Sequence, residues 1–146
     1  MADIPEEHLT EELLDRLLAS ASIEQYLDEG LVSARTLTDY LFDHMEAHDL
    51  RRADVVRASG LNATVVYDIF SGKSRPGRDH AIMLAFGLKC TLRETQRLLR
   101  LAGVSELWCK QRRDAIIIWC IRNGFDRIAT DDELYRMGEA TLLPAD

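Results

Sequence analysis

Apolar residues recur every three or four positions along most of this chain of 146 residues. That spacing places them on one face of a helix, because an α-helix has 3.6 residues per turn. Near the end of the chain, Thr130 and Glu133 form a capping-box pattern, which predicts the start of a last helix that ends at Gly138. The sequence therefore predicts an all-α fold. The clearest apolar sets are Leu13, Leu14, Leu17 and Leu18, then Leu37, Tyr40, Leu41 and Met45, then Leu92, Leu98, Leu99 and Leu101.

The longest apolar run is AIIIWCI, at residues 115–121. Its β-branched residues are compatible with a strand, but the long pattern around it and its helical neighbours favour a helix. Because this helix is apolar on all sides, we expect it to be buried, either in the core or in a subunit interface. The run is far shorter than the roughly 20 residues that a membrane-spanning helix needs.

Charge is distributed unevenly along the chain, whose net charge is −7. Residues 1–49 contain two basic and thirteen acidic residues, whereas residues 50–103 contain ten basic and four acidic ones. Residues 104–146 contain six basic and eight acidic residues. A basic segment between acidic flanks favours a polyanion as its partner, although the same charges can simply solvate helix faces.

The composition, with 47% apolar residues, allows a core without disulfides or metals and excludes a disordered chain. The first residues, MADIPEEHLTEELL, are acidic and lack the layout of a secretion signal, so we expect a cytoplasmic protein. Cys90, Cys109 and Cys120 form no CxxC pair and have apolar neighbours in the sequence. We expect all three to be reduced thiols in the core.

Residues 50–72, LRRADVVRASGLNATVVYDIFSG, are the most informative about function. Their first half predicts a short helix over residues 52–59, with Val55 and Val56 facing inward. Gly60 follows where the chain must leave this helix, a position that suits a left-handed residue. Leu61 is then an apolar plug in the turn.

The second half of this segment predicts a second short helix, over residues 63–71, with Asn62 as its N-cap. Gly72 ends it, and KSRPGR follows as a basic loop. Two short helices joined by a tight turn with a glycine are typical of a helix-turn-helix. The inner face of the second helix carries Val66, Ile69 and Phe70, and its outer face carries Thr64, Tyr67, Asp68 and Ser71.

Residues 38–95 resemble the XRE family, the Cro and phage-repressor type of helix-turn-helix domain. The resemblance covers about two fifths of the chain. It implies a five-helix lambda-repressor-like domain over residues 34–103, with its first helix at 34–48 and its last at 91–101. An acidic helical extension would precede the domain over residues 1–33, and a helical extension over residues 104–146 would pack on the domain or at a dimer interface. The residues that carry the resemblance are Leu50, Gly60, Val66, Ile69, Gly72 and Pro76, together with the stretch IFSGKSRP.

The resemblance also implies roles for matching residues. Arg52 begins the first motif helix, where the family usually has a glutamine that contacts a backbone phosphate, and an arginine can make that contact. Lys73, Arg75 and Arg78 would neutralise phosphates beside the groove. The second helix would enter the major groove and read base edges with its exposed residues. Those residues are Asn62, Ala63, Thr64, Tyr67, Asp68 and Ser71.

Three positions depart from the family pattern. Arg51 replaces the usual Ser or Thr cap of the first motif helix, which costs about 1 kcal/mol unless Asp49 substitutes. Val56 replaces the small residue that is usual at a close helix contact. Asp68 places a carboxylate on the reading face, where phosphates repel it unless it accepts a hydrogen bond from the N4 amine of a cytosine.

Other patterns in the chain indicate no catalytic or metal site. Gly72-Lys73-Ser74 is similar to the end of a P-loop, but a helix precedes it and Tyr67 stands where the first glycine of that motif belongs. His44 and His48 are four residues apart and can share a metal ion, yet they lack the glutamate of the HExxH pattern. We expect them to lie on a solvated helix face. We therefore expect no enzyme activity, no metal and no cofactor.

Together these observations predict a sequence-specific, DNA-binding transcriptional regulator. It would read the major groove of double-stranded DNA with the helix at 62–71 and act as a homodimer. The alternative is a protein-interaction adaptor on a repurposed helix-turn-helix fold, with a signalling enzyme as a candidate partner. DNA binding requires Arg52, Lys73 and Arg75 to share one face with the second helix.

Overall fold

The computed structural model describes residues 10–29 and 36–144, and the chain divides into two compact units between residues 35 and 36. The first unit contains α1 (Thr10–Ala19) and α2 (Ile23–Asp28). The side chain of Ser22 caps α2 by accepting a hydrogen bond from the backbone N–H of Gln25. The predicted boundary between residues 33 and 34 lies outside the described residues.

The second unit begins at Thr36 and contains seven helices among its described residues. No strand occurs within residues 10–29 and 36–144, so the prediction of an all-α fold is confirmed for them. None of the described helices is long and apolar enough to cross a membrane. The helices are α3 (Leu37–Ala47), α4 (Arg52–Ser59), α5 (Ala63–Phe70), α6 (Arg78–Gly87), α7 (Leu92–Leu101), α8 (Arg112–Arg122) and α9 (Arg127–Arg136).

Helix α6 lies at the centre of the second unit, in contact with α4, α7 and α9. Five consecutive residues of α6, 81–85, are buried, because neighbouring helices cover it on several sides. Gly87 at its end allows the closest of these approaches. A Cβ atom there would lie 3.0 Å from the carbonyl oxygen of Val55 and 2.9 Å from Cβ of Ser59. The close α4–α6 contact therefore places a glycine of α6 against Val55 and Ser59 of α4.

Helix α8 contains the apolar run at residues 115–121, and its helical structure is as predicted. Within the single chain only one of its faces is buried. Ile117 and Cys120 are fully buried, whereas the side chain of Trp119 is 54% exposed. The reason is geometric, since a helix packed against one core buries one face whatever the composition of the other.

An ion pair attaches α8 to α6, and hydrogen bonds attach the C-terminal segment to α9. Arg78, at the start of α6, makes a bidentate pair with the buried Asp114 of α8, with distances of 2.9 and 2.6 Å. Further along, the carboxylate of Asp131 in α9 accepts hydrogen bonds from the backbone N–H groups of Leu142 and Leu143, at 2.6 and 3.2 Å. Residues after 103 thus belong to the same compact unit as the central helices.

One predicted helix start and one predicted cap differ in the structure. Helix α9 begins at Arg127, because Asp126 caps it by accepting a hydrogen bond from the backbone N–H of Ala129 at 2.8 Å. The predicted capping box at Thr130 is therefore wrong, and Thr130 is a buried residue inside the helix. At α4, the carboxylate of Asp54 accepts from the backbone N–H of Arg51 at 2.9 Å, so Asp54 rather than Asp49 compensates for the missing cap.

Two predictions about burial are also wrong. Cys120 is buried and Cys90 partly buried, but Cys109 is exposed, because it lies in the turn before α8 and outside the core. His44 does not lie on a solvated face, since its side chain is fully buried between Tyr40 and α7. His48 is partly buried and stacks on it.

Candidate nucleic-acid interface

Helices α4 and α5 are joined by a three-residue turn, Gly60 to Asn62, as the sequence predicts. Gly60 has φ +79°, in the left-handed region that glycine adopts without strain. Leu61 is buried as the apolar plug, and its backbone N–H donates to Oγ of Ser59 at 3.2 Å. Asn62 caps α5, because its side-chain oxygen accepts from the backbone N–H of Thr64 at 2.8 Å. Local chemistry at each position thus fixes this helix pair.

Helix α5 is amphipathic, and its faces are those predicted. Its core face carries Val66, Ile69 and Phe70, all buried. The opposite face is open to solvent, and we call it the α5 outer face. It presents hydroxyl, phenol, carboxylate and methyl groups, a mixture of donors, acceptors and apolar contacts of the kind that base edges accept. Its members are Ala63, Thr64, Tyr67 and Ser71, which are exposed, and Asp68, which is partly buried.

Arg52 and Tyr67 are brought together across the helix pair. The guanidinium carbon of Arg52, at the start of α4, lies 5.4 Å from the centre of the Tyr67 ring on α5. A cation–π contact at an exposed site contributes about 0.5–1 kcal/mol, enough to bias the orientation of the arginine. The start of α4 and the α5 outer face therefore form one continuous surface.

Several polar groups of α5 already bond within the chain. The oxygen of the Asn62 amide is occupied by the cap, and the hydroxyl of Ser71 donates to the carbonyl oxygen of Asp68 at 3.1 Å. The same carbonyl accepts from the backbone N–H of Lys73 at 2.9 Å, which folds the loop back over the end of α5. The side chains of Thr64 and Tyr67, the carboxylate of Asp68 and the amide nitrogen of Asn62 make no hydrogen bond to the described residues.

The basic loop after α5 places Lys73 and Arg75 in solvent. Gly72, with φ +80°, turns the chain at the start of this loop. A Cβ atom added to Gly72 would lie 3.9 Å from Oγ1 of Thr38, so the start of α3 borders the loop. Arg75 extends towards the end of α7, where its Nη1 atom lies 3.4 Å from the position of a Cβ on Gly103. Neither Lys73 nor Arg75 has an ion-pair partner among the described residues.

Arg78 does not join this surface. Its Nε donates to the carbonyl of Ser105 and its Nη2 to the carbonyl of Glu106, in addition to the pair with Asp114. The hydrogen bonds to Asp114 raise the pKa of the Arg78 guanidinium above its usual value. Each nitrogen of the group has a partner inside the unit, so the structure gives Arg78 a bracing position instead of the predicted groove-side one.

One neighbour of the helix pair was not predictable from the local sequence. The side chain of Arg127 packs on the turn, with Nε 2.6 Å from the position that a Cβ on Gly60 would occupy. Arg127 also pairs with Asp131 at 2.7 Å, and the side chains of both are 11% exposed. The C-terminal segment thus covers the turn between α4 and α5.

A cleft of about 430 Å³ also lies beside α4, but it contains none of the predicted site residues. Residues from α4, α6 and the junction between α8 and α9 line it, among them Arg57, Phe86, Lys89 and Ile128.

No protein-family model, curated protein or solved structure matches this chain.

Proposed function

We propose that this protein is a sequence-specific DNA-binding transcriptional regulator. In this proposal α4 and α5 act as a helix-turn-helix, and α3 to α7 are the five helices of a lambda-repressor-like domain. The observation that carries it is the contact between Arg52 and Tyr67, at 5.4 Å. It puts a cation beside the face of α5 that would enter the major groove.

The distribution of charge supports this proposal. Several arginines of the basic segment have carboxylate partners, because Arg57 pairs with Asp54, Arg78 with Asp114 and Arg100 with Glu106. Arg52, Lys73 and Arg75 have no such partner among the residues that the structure describes, and all three are exposed. Cations without an internal partner are those that gain most from a phosphate.

Sequence readout would come from the α5 outer face. The hydroxyl of Thr64 can donate or accept at a base edge, and its methyl group can contact the methyl of thymine. The carboxylate of Asp68 can accept from the N4 amine of cytosine, a pairing that makes the carboxylate an element of specificity. Each matched base contact of this kind contributes about 1–3 kcal/mol of discrimination.

We test the phosphate contacts with the salt dependence of binding to a random-sequence duplex. Each lost phosphate contact lowers the slope of log K against log salt by about 1. Arg52→Ala and Lys73→Ala are each expected to lower it by this amount. Arg122→Ala, which removes another exposed arginine, at the end of α8, is the matched control and is expected to leave the slope unchanged.

Equal slopes for Arg52→Ala, Lys73→Ala and the parent protein would refute the docking. Equal effects of Arg122→Ala and the other two variants would indicate a general charge effect instead. Selection of bound duplexes from a random library then tests readout, because Thr64→Ala is expected to change the enriched sequence while Arg52→Ala lowers binding to all sequences alike.

A homodimer is part of the proposal, since a two-half-site operator needs two recognition helices. The exposed side chain of Trp119, beside a groove of about 320 Å³ between α8 and α9, favours this region as the interface. Trp119→Asp is expected to yield folded monomers in sedimentation experiments, because a charge in an apolar interface is costly to bury. A variant that sediments like the parent would exclude this interface.

A protein-binding adaptor is the second candidate. The carboxylate of Asp68 on the α5 outer face favours it, because phosphates repel that charge wherever no cytosine amine meets it. Absence of binding to any duplex at low salt, by a chain whose circular dichroism shows a folded protein, would exclude the DNA-binding proposal and favour the adaptor.

A further inference from the structure

We propose that His44, His48 and Glu94 form a binding site for a divalent transition-metal ion of the Zn²⁺ class. The site joins the end of α3 to the start of α7. It shares no residue with the α5 outer face or with Arg52, Lys73 and Arg75, and it does not depend on the DNA-binding proposal.

The geometry brings three ligand atoms together from two helices. His44 and His48 are one helical turn apart, and their rings stack with centroids 6.0 Å apart and planes inclined by 13°. From α7, Oε2 of Glu94 lies 3.9 Å from Nδ1 of His44. One ligand atom from each of the three residues lies within 4.8 Å of the other two.

These distances suit a metal ion better than a direct hydrogen bond. Two ligands at about 2.0–2.2 Å from a tetrahedral Zn²⁺ lie roughly 3.4 Å apart. The distance of 3.9 Å between Nδ1 of His44 and Oε2 of Glu94 exceeds that separation by about half an ångström. The side chains of His48 and Glu94 are only partly buried, so small rotations of them can bring the ligand atoms to the metal-binding separation.

The donor set indicates the class of metal. Two imidazoles and one carboxylate suit Zn²⁺ and the neighbouring transition metals, whereas Ca²⁺ and Mg²⁺ prefer oxygen ligands alone. Three protein ligands leave a fourth position of a tetrahedral ion for water. The exposed fraction of the Glu94 side chain, 21%, gives that position a route to solvent.

The surrounding contacts hold the ligands in place. The second oxygen of Glu94, Oε1, accepts a hydrogen bond from the backbone N–H of Thr91 at 2.8 Å, which fixes the carboxylate at the start of α7. The hydroxyl of Tyr40 donates to the backbone carbonyl of Glu94 at 3.2 Å, and the Tyr40 ring packs on His44 with centroids 4.4 Å apart. Ligands supported in this way lose little freedom when an ion binds.

Calorimetric titration of the full chain with Zn²⁺ tests the site, with thermal unfolding as a second measurement. We expect one ion per chain and a rise in unfolding temperature with Zn²⁺, because an ion that binds only the folded state stabilises it. His48→Ala and Glu94→Gln are expected to weaken binding by at least about tenfold each. Gln at position 94 keeps the helix cap, so Glu94→Gln removes a ligand and preserves the fold.

His80→Ala is the control, since His80 is exposed at the start of α6, away from the cluster in sequence. Cys109→Ser controls for Zn²⁺ bound by the exposed thiol, and Co²⁺ provides a spectroscopic check because thiolate ligands add a charge-transfer band that nitrogen and oxygen ligands do not. No binding by the parent protein would refute the proposal. So would Zn²⁺ binding that is lost in Cys109→Ser or His80→Ala and retained in His48→Ala and Glu94→Gln.

Discussion

From the turn between α4 and α5 we predict that Gly60→Ala lowers the free energy of unfolding by an unusually large amount for the addition of one methyl group. Its φ of +79° places any other residue in the left-handed region, at a cost of about 1–2 kcal/mol. Gly138 has nearly the same backbone, with φ +77°, and no atom lies within 4 Å of the position of its Cβ. Gly138→Ala therefore measures the backbone cost alone.

At Gly60 a second cost is added. A Cβ there would lie 2.6 Å from Nε and 2.9 Å from Cζ of Arg127, so the guanidinium must shift, and we expect the shift to break its hydrogen bond to Asp131. Loss of a hydrogen bond between charged groups costs about 1.5–3 kcal/mol. We expect Gly60→Ala to lower the free energy of unfolding by about 2.5–5 kcal/mol in total, against about 1–2 kcal/mol for Gly138→Ala.

Urea unfolding followed by far-ultraviolet circular dichroism measures both variants. The decisive comparison repeats Gly60→Ala in an Arg127→Ala background, where the guanidinium and its hydrogen bond to Asp131 are already absent. There we expect Gly60→Ala to cost only as much as Gly138→Ala, which corresponds to a coupling energy of about 1.5–3 kcal/mol between positions 60 and 127. Equal costs of Gly60→Ala and Gly138→Ala in the parent protein would refute this reasoning.

Three further predictions concern packing, a buried charge and a thiol. Gly87→Ala is expected to destabilise the protein by about 1–3 kcal/mol in urea unfolding, because the α4–α6 contact leaves no space for the added Cβ. Alanine has the better helix propensity, so a more stable variant would contradict this packing argument. Arg78→Ala is expected to cost about 3 kcal/mol by the same measurement, since it leaves the carboxylate of Asp114 buried without its cation, and a loss below about 1 kcal/mol would show that the pair is dispensable. A thiol reagent is expected to label Cys109 alone in the folded chain. The thiolate is the nucleophile, and burial raises the pKa of the Cys120 and Cys90 thiols, which disfavours their thiolate forms. Labelling of all three cysteines without denaturant would disagree with the structure.

Features with a local cause were predictable from the sequence. Gly60 ends α4 because no side chain opposes its left-handed backbone, and Asn62 caps α5 with its own amide. The buried face of α5 follows from helical spacing alone. Each of these depends on residues within one or two turns of each other, which is the range over which sequence patterns carry structural information.

Features that depend on distant partners were not predictable. Arg127 meets Gly60 across 67 positions of sequence, and Arg78 meets Asp114 across 36. Nothing in the residues next to Arg78 distinguishes an arginine that braces α8 from one that contacts phosphate. Trp119 shows a related limit, because the apolar composition of α8 did not distinguish burial in the core from burial in a subunit interface, and its side chain is exposed in the single chain.

The start of α9 shows a third limit. Asp126 and Thr130 are both good N-cap residues, four positions apart, and the pattern with Glu133 favoured Thr130. Asp126 is the cap in the structure, which keeps Thr130 in the helix and buried. Thr130 and Leu134 are one helical turn apart and both buried, so packing against the core, which local propensity does not contain, accompanies the earlier start.

Because Arg127 packs on Gly60, the helix pair is not an independent unit that can be moved to another protein. Helices α3 to α7 end at Leu101, yet the cover over their central turn comes from α9, and α9 is itself held to the segment around Leu142 through Asp131. Grafting residues 36–103 into another chain would transfer every residue of the motif and leave behind the arginine that closes it.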